Sequence, residues 1–382
     1  MKVILIHDAP LNEWKGTQKA LFELGNYLVQ MGHTVTYLNN VSFKRSKTEK
    51  HLSFSKVPQF SIVDLEFRRF FGIWFIGRNI LQQYKPDAIY IASLQSFYYI
   101  PFYKFNTVLS TFVIGPEHEE IGTKLSQTLF KAKKKIFQLI VLLYGKKNTI
   151  FHVLNPIQKN WLQRIVGEKH KVYMIPPPID CDLYKREDNY KITQVTFNVL
   201  YLGPLTREKG FMDFVEIVHL VNSRLQKESD KLMFIIVGGG ILEDTALNIK
   251  KMYENVRCLG TLSEHENLNV YQNSHLLVSP SYVENFHYVT AEAQLFGIPV
   301  LSSNISGPSS IIKNGITGKL IDRGKINEFV EALLQYYNQF WDDRNGYENM
   351  MKQISQNAKQ FCKEKVLPLY EGILLSFIKN NI

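Results

Sequence analysis

Cysteine is scarce in this 382-residue chain, with three in all, and that scarcity is the first constraint. Cys181, Cys258 and Cys362 are odd in number and far apart. They read as neither a metal spacing nor a disulfide framework, so a reducing compartment is the expected setting. Long apolar runs are missing too. The longest, Ile136 to Tyr144, is interrupted by Gln138 and falls far short of the ~20 residues that cross a bilayer. The apolar part of the opening Met1-Lys2-Val3-Ile4-Leu5-Ile6-His7-Asp8 is too short for a secretory signal and reads as a first buried strand. There is no short internal repeat and no low-complexity segment.

What is present is ordinary globular composition with an uneven charge. Apolar residues make up 45% and charged residues 21%, and the length suffices for two domains with separate cores. The net charge is +10. Residues 1–200 carry 27 Lys and Arg against 15 Asp and Glu, a balance of +12, while residues 201–382 carry 18 against 20, a balance of −2. A basic first half attracts anions, whether nucleic acid, acidic lipid headgroups or diphosphates. No nucleic-acid recognition motif accompanies the charge, so nucleic acid is not the expected partner.

Short apolar, β-branched runs alternate with helical patterns. The first half offers Val3 to Ile6, Val35 to Leu38, Ala88 to Ile91, Val108 to Val113, Ile150 to Leu154 and Val172 to Ile175. The second offers Val199 to Leu202, Leu232 to Val237, Val256 to Leu259, Leu276 to Ser279, Val300 to Ser302 and Lys319 to Ile321. Leu21, Leu24, Leu28 and Met31 form the stripe of an amphipathic helix. Continuous apolar strands between such helices predict parallel sheets covered on both faces, in doubly wound α/β layers. The pattern restarts near residue 195, after a charged stretch without periodicity. The expected organisation is a first domain over 1–185, a linker over 186–194, a second domain over 195–358 and a helical tail over 359–382. Pro368 is expected to break or kink that tail.

The most informative stretch runs from Pro280 to Val300. A strand ends at Pro280, a loop carries Glu284, and a helix is expected from about Tyr288 to Phe296, stopped by Gly297. A helix N-terminus suits a phosphate, and a carboxylate suits a hydroxyl pair. Glu284 outside that terminus and Glu292 one turn inside it could therefore touch opposite ends of one diphosphate ligand. Taken alone, the two are more readily ordinary exposed glutamates. Their surroundings change the weighing.

Two glutamates with seven residues between them, a phenylalanine two after the first and a closing Ala-x-x-x-Gly-x-Pro-Val resemble the retaining glycosyltransferases of the GT-B class, family four. Further segments extend the resemblance over nearly the whole chain, in family order: Lys15-Gly16-Thr17-Gln18, Lys85-Pro86-Asp87, Ile175-Pro176-Pro177-Pro178-Ile179-Asp180, Tyr201-Leu202-Gly203 with Glu208-Lys209-Gly210, Val237-Gly238-Gly239-Gly240, and Gly315-Ile316-Thr317-Gly318. It implies two Rossmann-like domains facing across a cleft, with the C-terminal helix crossing back. It also implies a hexose carried from a nucleoside diphosphate sugar to a lipid-linked or cell-surface glycan, with no cofactor or metal. By the same resemblance Glu292 holds the ribose and Glu284 the transferred sugar. Lys209 neutralises the diphosphate beside the Gly203 loop. Asn285 and the amides of Phe286, His287, Tyr288 and Val289 meet the donor, and the Gly16 loop closes from the first domain.

The chain departs from the family at several places. Pro204 stands where an arginine usually follows the loop glycine, and Arg207 is the candidate substitute, able to grip phosphate bidentately. Val113 stands where a histidine is common, with His118 as its candidate replacement. His287 replaces a glycine, so its side chain must turn away from the phosphates or bond to them. Ser310 replaces a common glutamate. The Pro204 and Val113 departures keep open a degenerate sugar-nucleotide-binding subunit, and the similar architecture of nucleotide-sugar epimerases keeps that enzyme class open as well. A dehydrogenase reading of Gly238-Gly239-Gly240 fails because Glu243 stands at the third glycine position. Finally, Lys131 to Lys147 and Phe67 to Ile76 mix cations with apolar residues. They predict attachment to an acidic membrane surface at its cytoplasmic face.

Overall fold

The chain is described from a computed structural model. The description covers residues 1–7, 16–41, 60–66, 84–92, 106–110, 149–186, 192, 195–225 and 231–379, with single positions at 128, 131 and 135. The chain forms two compact units, Met1–Ile179 together with Lys363–Ile382, and Asp180–Cys362.

The first unit contains β1 (Lys2–His7), α1 (Gly16–Gln30), β2 (Thr34–Val41), β3 (Phe60–Glu66), β4 (Ala88–Ala92), β5 (Thr107–Ser110), β6 (Thr149–Val153), α2 (Pro156–Val166) and β7 (Lys171–Met174). Its strands form one parallel sheet in the order β3-β2-β1-β4-β5-β6-β7. Val3 to Ile6 and all of β4 are buried, as strands covered on both faces must be. Leu21, Leu24 and Leu28 of α1 are buried, but Met31 lies beyond the helix end and is exposed. Edge strand β3 was not foreseen. It pairs with β2 from Val35↔Phe60 to Val41↔Glu66, and its sequence, Phe-Ser-Ile-Val-Asp-Leu-Glu, mixes polar with apolar residues instead of forming an unbroken apolar run.

The closing helix, Lys363–Lys379, belongs to this first unit. It continues through Pro368 without a break. Proline forfeits one amide bond near the start, and buried Val366, Leu367, Tyr370, Ile373, Leu374 and Phe377 hold the helix in place. Glu371 accepts from Tyr27 at 2.9 Å and lies 2.8 Å from His33, and Tyr370 donates to the Pro176 carbonyl at 3.2 Å.

The second unit contains β8 (Phe197–Leu202), α3 (Phe211–Leu225), β9 (Leu232–Val237), α4 (Glu243–Met252), β10 (Val256–Gly260), α5 (Glu264–Gln272), β11 (Leu276–Ser279), α6 (Tyr288–Leu295), β12 (Val300–Ser303), α7 (Ser306–Ser309), β13 (Gly318–Ile321), α8 (Ile326–Asp342) and α9 (Arg344–Ala358). Its parallel sheet runs β10-β9-β8-β11-β12-β13. In this doubly wound order the winding reverses between β8 and β11, and such a switch point opens a crevice at the strands' carboxyl ends. Phe197, Phe211, Phe214, Phe234 and Phe340 fill the core. Gly297, at a left-handed φ of 75°, ends α6 as expected.

The boundaries differ from the expected ones. The chain changes unit after Ile179 and returns after Cys362. Of the expected linker, Arg186 and Ile192 are described, and both are anchored in the second unit. The Arg186 guanidinium donates to the Tyr271 and Ser274 carbonyls, while Ile192 is buried in the core. Cys181 and Cys362 form a disulfide with their Cα atoms 5.2 Å apart. Distance in sequence misled here because the second unit begins and ends at the same place. The pairing also removes the cysteine count as an argument for a reducing compartment.

Candidate active site

The switch point of the second unit gathers three loops. The loop after β8 carries Gly203, Pro204, Arg207 and Lys209. Tyr201 folds it by donating to the Pro204 and Lys209 carbonyls, at 3.0 and 3.2 Å. Gly210 closes it at a φ of 68°, where a Cβ would collide with the Pro280 carbonyl. This close approach brings the Lys209 loop against the loop after β11. The glycine turn after β9 joins them, with the Leu205 amide donating to the Gly239 carbonyl at 3.0 Å.

Lys209 and Glu284 meet across these loops. The ammonium is 2.9 Å from Glu284 Oε1 and donates to the Val283 carbonyl at 3.2 Å. Glu284 is fixed through its backbone, since its carbonyl accepts from the Gly307 amide and the Ser306 hydroxyl, at 2.9 and 3.2 Å. Burial, and then the charge of Glu284, push the Tyr201 hydroxyl up.

His287 turns away from the helix mouth. It stands at the N-cap of α6 with φ 57° and ψ 71°, a left-handed conformation uncommon for a residue with a Cβ. Its imidazole is buried between Ser279 Oγ (3.1 Å from Nε2) and Thr290 Oγ1 (2.6 Å from Nδ1), with Glu284 Oε1 at 3.6 Å. Burial pushes its pKa down against the pull of Glu284, favouring the neutral ring. The site thus keeps a glycine-like backbone with a histidine tied inward. Half-buried Asn285, Tyr288 and Val289 surround the α6 terminus. Phe286 is buried edge-on to Tyr288 and Phe361. The terminus supplies the partial positive charge that favours an anion.

Glu292 is half-buried one turn into α6 and accepts from the Tyr271 hydroxyl at 2.8 Å. Arg207 is exposed on the Lys209 loop. Gly16 opens α1 in the first unit. His118, Val113 and the two basic-apolar segments lie outside the described residues, apart from single positions at 131 and 135. Ser310 spends its hydroxyl on the Gly307 carbonyl at 2.7 Å.

Motif reading missed Tyr271 and Tyr184, which pack behind Glu292, and Ser279 and Thr290, which hold His287. Tyr271, Ser279 and Thr290 sit in no glycine-rich or charged pattern, and Tyr184 borders a charged stretch that reads as linker. It also counted no Asp-x-Asp motif, although the sequence holds such a triplet, Asp180-Cys181-Asp182. There the first carboxylate accepts from the Asp182 and Leu183 amides, and the central cysteine is in the disulfide. Among the described residues, no three His, Cys, Asp or Glu side chains cluster as metal ligands.

Residues 187–361 match the family model of glycosyl transferases group 1. That match falls entirely within the second unit. A Klebsiella pneumoniae protein described only as an uncharacterized 41.2 kDa protein in the cps region is 26% identical over 253 residues, 65% of this chain and 67% of that protein. The Escherichia coli UDP-Gal:alpha-D-GlcNAc-diphosphoundecaprenol alpha-1,3-galactosyltransferase is 25% identical over 235 residues, 57% of this chain and 59% of that one. Matches to the first curated relatives span between 48% and 67% of their length. The structure of sucrose-phosphate synthase from Thermosynechococcus elongatus covers both chains completely, at a TM-score of 0.77 and 16% identity. The two doubly wound parallel units are those of the GT-B fold.

Proposed function

We propose that the chain is a retaining hexosyltransferase that takes its sugar from a nucleoside diphosphate donor and passes it to a lipid-linked or cell-surface glycan. The observation that carries this reading is the meeting of Lys209 and Glu284 at the switch point, beside the N-terminus of α6. In this reading the first turn of α6 and Lys209, with Arg207 as a second cation, offset the negative charge that gathers on the departing diphosphate. Glu284 accepts from hydroxyls of the transferred sugar and Glu292 from those of the ribose. The acceptor oxygen bonds to the anomeric carbon on the face the diphosphate leaves. The carbon–phosphate-oxygen bond breaks, and the departing phosphate takes the acceptor's proton. With these cations and amides the reaction proceeds without a metal. The relative that acts on a UDP-sugar and a diphosphoundecaprenol acceptor supports UDP as the first nucleotide to try.

The experiment is a calorimetric and thermal-shift panel of UDP, GDP, ADP and their sugars on wild type and Glu292→Ala. One nucleotide should bind wild type and lose most of its effect in the variant, and that donor should hydrolyse slowly without an acceptor. If nothing binds wild type at millimolar concentration, the reading is wrong. Binding without hydrolysis or transfer to any glycan lipid would instead favour a sugar-nucleotide-binding subunit, the reading that Pro204 motivates. The basic first half is proposed to rest on an acidic membrane surface, and no described helix is long and apolar enough to cross a membrane. Co-sedimentation with anionic vesicles but not neutral ones is the expected result, and equal sedimentation with both refutes the attachment.

A further inference from the structure

Behind Glu292 lies a pair of phenols that no motif pointed to. Tyr271, on the last turn of α5, is fully buried, and its hydroxyl donates to Glu292 Oε2 at 2.8 Å. Its ring stacks on Phe296 at 5.5 Å. Tyr184, 4% exposed, packs edge-on to both rings, at 6.3 Å from Tyr271 and 6.5 Å from Phe296. The Tyr184 hydroxyl donates to Glu264 Oε1 at 2.8 Å. Burial, followed by the charge of Glu292, pushes both hydroxyls up, so both phenols keep their protons.

Phenylalanine would fill this aromatic cluster equally well, so the hydroxyls need a separate explanation. Each phenol has one proton to donate. Tyr271 gives its proton to a carboxylate on the neighbouring helix instead of to a backbone carbonyl. Tyr184 gives its proton to Glu264, and its ring packs against Tyr271. A glutamate has three rotatable bonds, and a half-buried one is held in a single orientation only by groups that bond to it. The tyrosine rings are themselves immobilised by stacking, so they are rigid supports.

We infer that Tyr271 is a positioning residue for the Glu292 carboxylate, fixing the orientation in which it accepts from the ribose hydroxyls of a nucleoside diphosphate, while the Tyr184 ring braces Tyr271. The inference rests on the proposed donor site. It adds that ribose recognition is set from behind, by a side chain that never touches the nucleotide.

The test is calorimetry of UDP, GDP and ADP, each against its 2′-deoxy form, on wild type, Tyr271→Phe, Tyr184→Phe and Glu292→Ala, with a melting curve for each protein. Wild type should prefer the ribose form of its nucleotide by about tenfold, the size of one hydrogen bond to a charged group. Tyr271→Phe should lose most of that preference, bind the deoxy form as wild type does and keep its melting temperature, whereas Tyr184→Phe, which keeps the bracing ring, should retain the preference. A core-packing role alone would move the melting temperature and leave the ratio unchanged. If Tyr271→Phe keeps the wild-type ratio while Glu292→Ala loses it, the positioning role is refuted and the ribose site stands. If Glu292→Ala also keeps the ratio, or no nucleotide binds wild type, the donor-site reading falls and the inference with it.

Discussion

The ammonium of Lys209 lies 2.9 Å from the carboxylate of Glu284, joining two loops 75 residues apart in sequence. The partners are 26% and 16% exposed, so water still screens the pair and its coupling is expected on the order of 1 kcal/mol. A double-mutant cycle of Lys209→Ala and Glu284→Ala, read by chemical unfolding, measures it. The effect on chemistry should be larger. Losing one group aimed at developing charge costs roughly 10²–10³ in rate, so Lys209→Ala should slow transfer by that factor with little change in melting temperature. A transfer rate within threefold of wild type would remove Lys209 from the machinery.

His287 offers a test in which the smaller side chain should be the better tolerated. Its φ of 57° suits glycine, and an alanine there would keep the left-handed cost of roughly 1–2 kcal/mol without the bonds to Ser279 and Thr290. His287→Gly should therefore melt above His287→Ala. The reverse order would show that the backbone relaxes out of this conformation once the imidazole is gone.

Acid should destabilise both units. Burial lowers the pKa of His152, in the first unit, from 6.5 to about 4. It lowers that of His275, in the second, from 6.5 to about 3. Both rings are neutral in the fold, so below pH 6.5 the unfolded chain binds protons that the folded chain does not. Stability is intact above pH 6.5 and falls as pH drops toward 4, by about 3 kcal/mol for His152 alone. Urea unfolding at pH 7.5 and 5 checks the sign, and His152→Gln should flatten the dependence. The Tyr90 and Ser110 hydroxyls, 2.9 and 2.7 Å from Nδ1, and the Ile175 carbonyl, 2.8 Å from Nε2, hold that ring.

Reduction should loosen the second unit. The Cys181–Cys362 bridge closes a loop with a sequence separation of 181, for which the chain-entropy model gives at most about 5 kcal/mol. The melting temperature should fall on adding dithiothreitol to wild type and stay constant in Cys181→Ser. An unchanged wild-type transition, with mass spectrometry showing both thiols alkylated, would count against a stabilising bridge.

The sequence by itself determined the layered architecture. Apolar strands such as Leu232–Val237 and Leu276–Ser279 can be satisfied only under cover on both faces, and the helices between them supply that cover. The stop at Gly297 was equally legible, because a left-handed residue there is a local requirement of the chain. Glu284, Lys209 and Glu292 could be named as candidates because local motifs carry them. Their partners could not. The approach of Lys209 to Glu284, the phenols behind Glu292 and the union of Cys181 with Cys362 all join segments that only the tertiary fold brings together. The unit boundary at Asp180 escaped notice for the same reason, and edge strand β3 because its Phe60–Glu66 sequence mixes polar with apolar residues. Periodicity reports how one element buries its own face, whereas pairing across elements depends on which of them the topology makes neighbours.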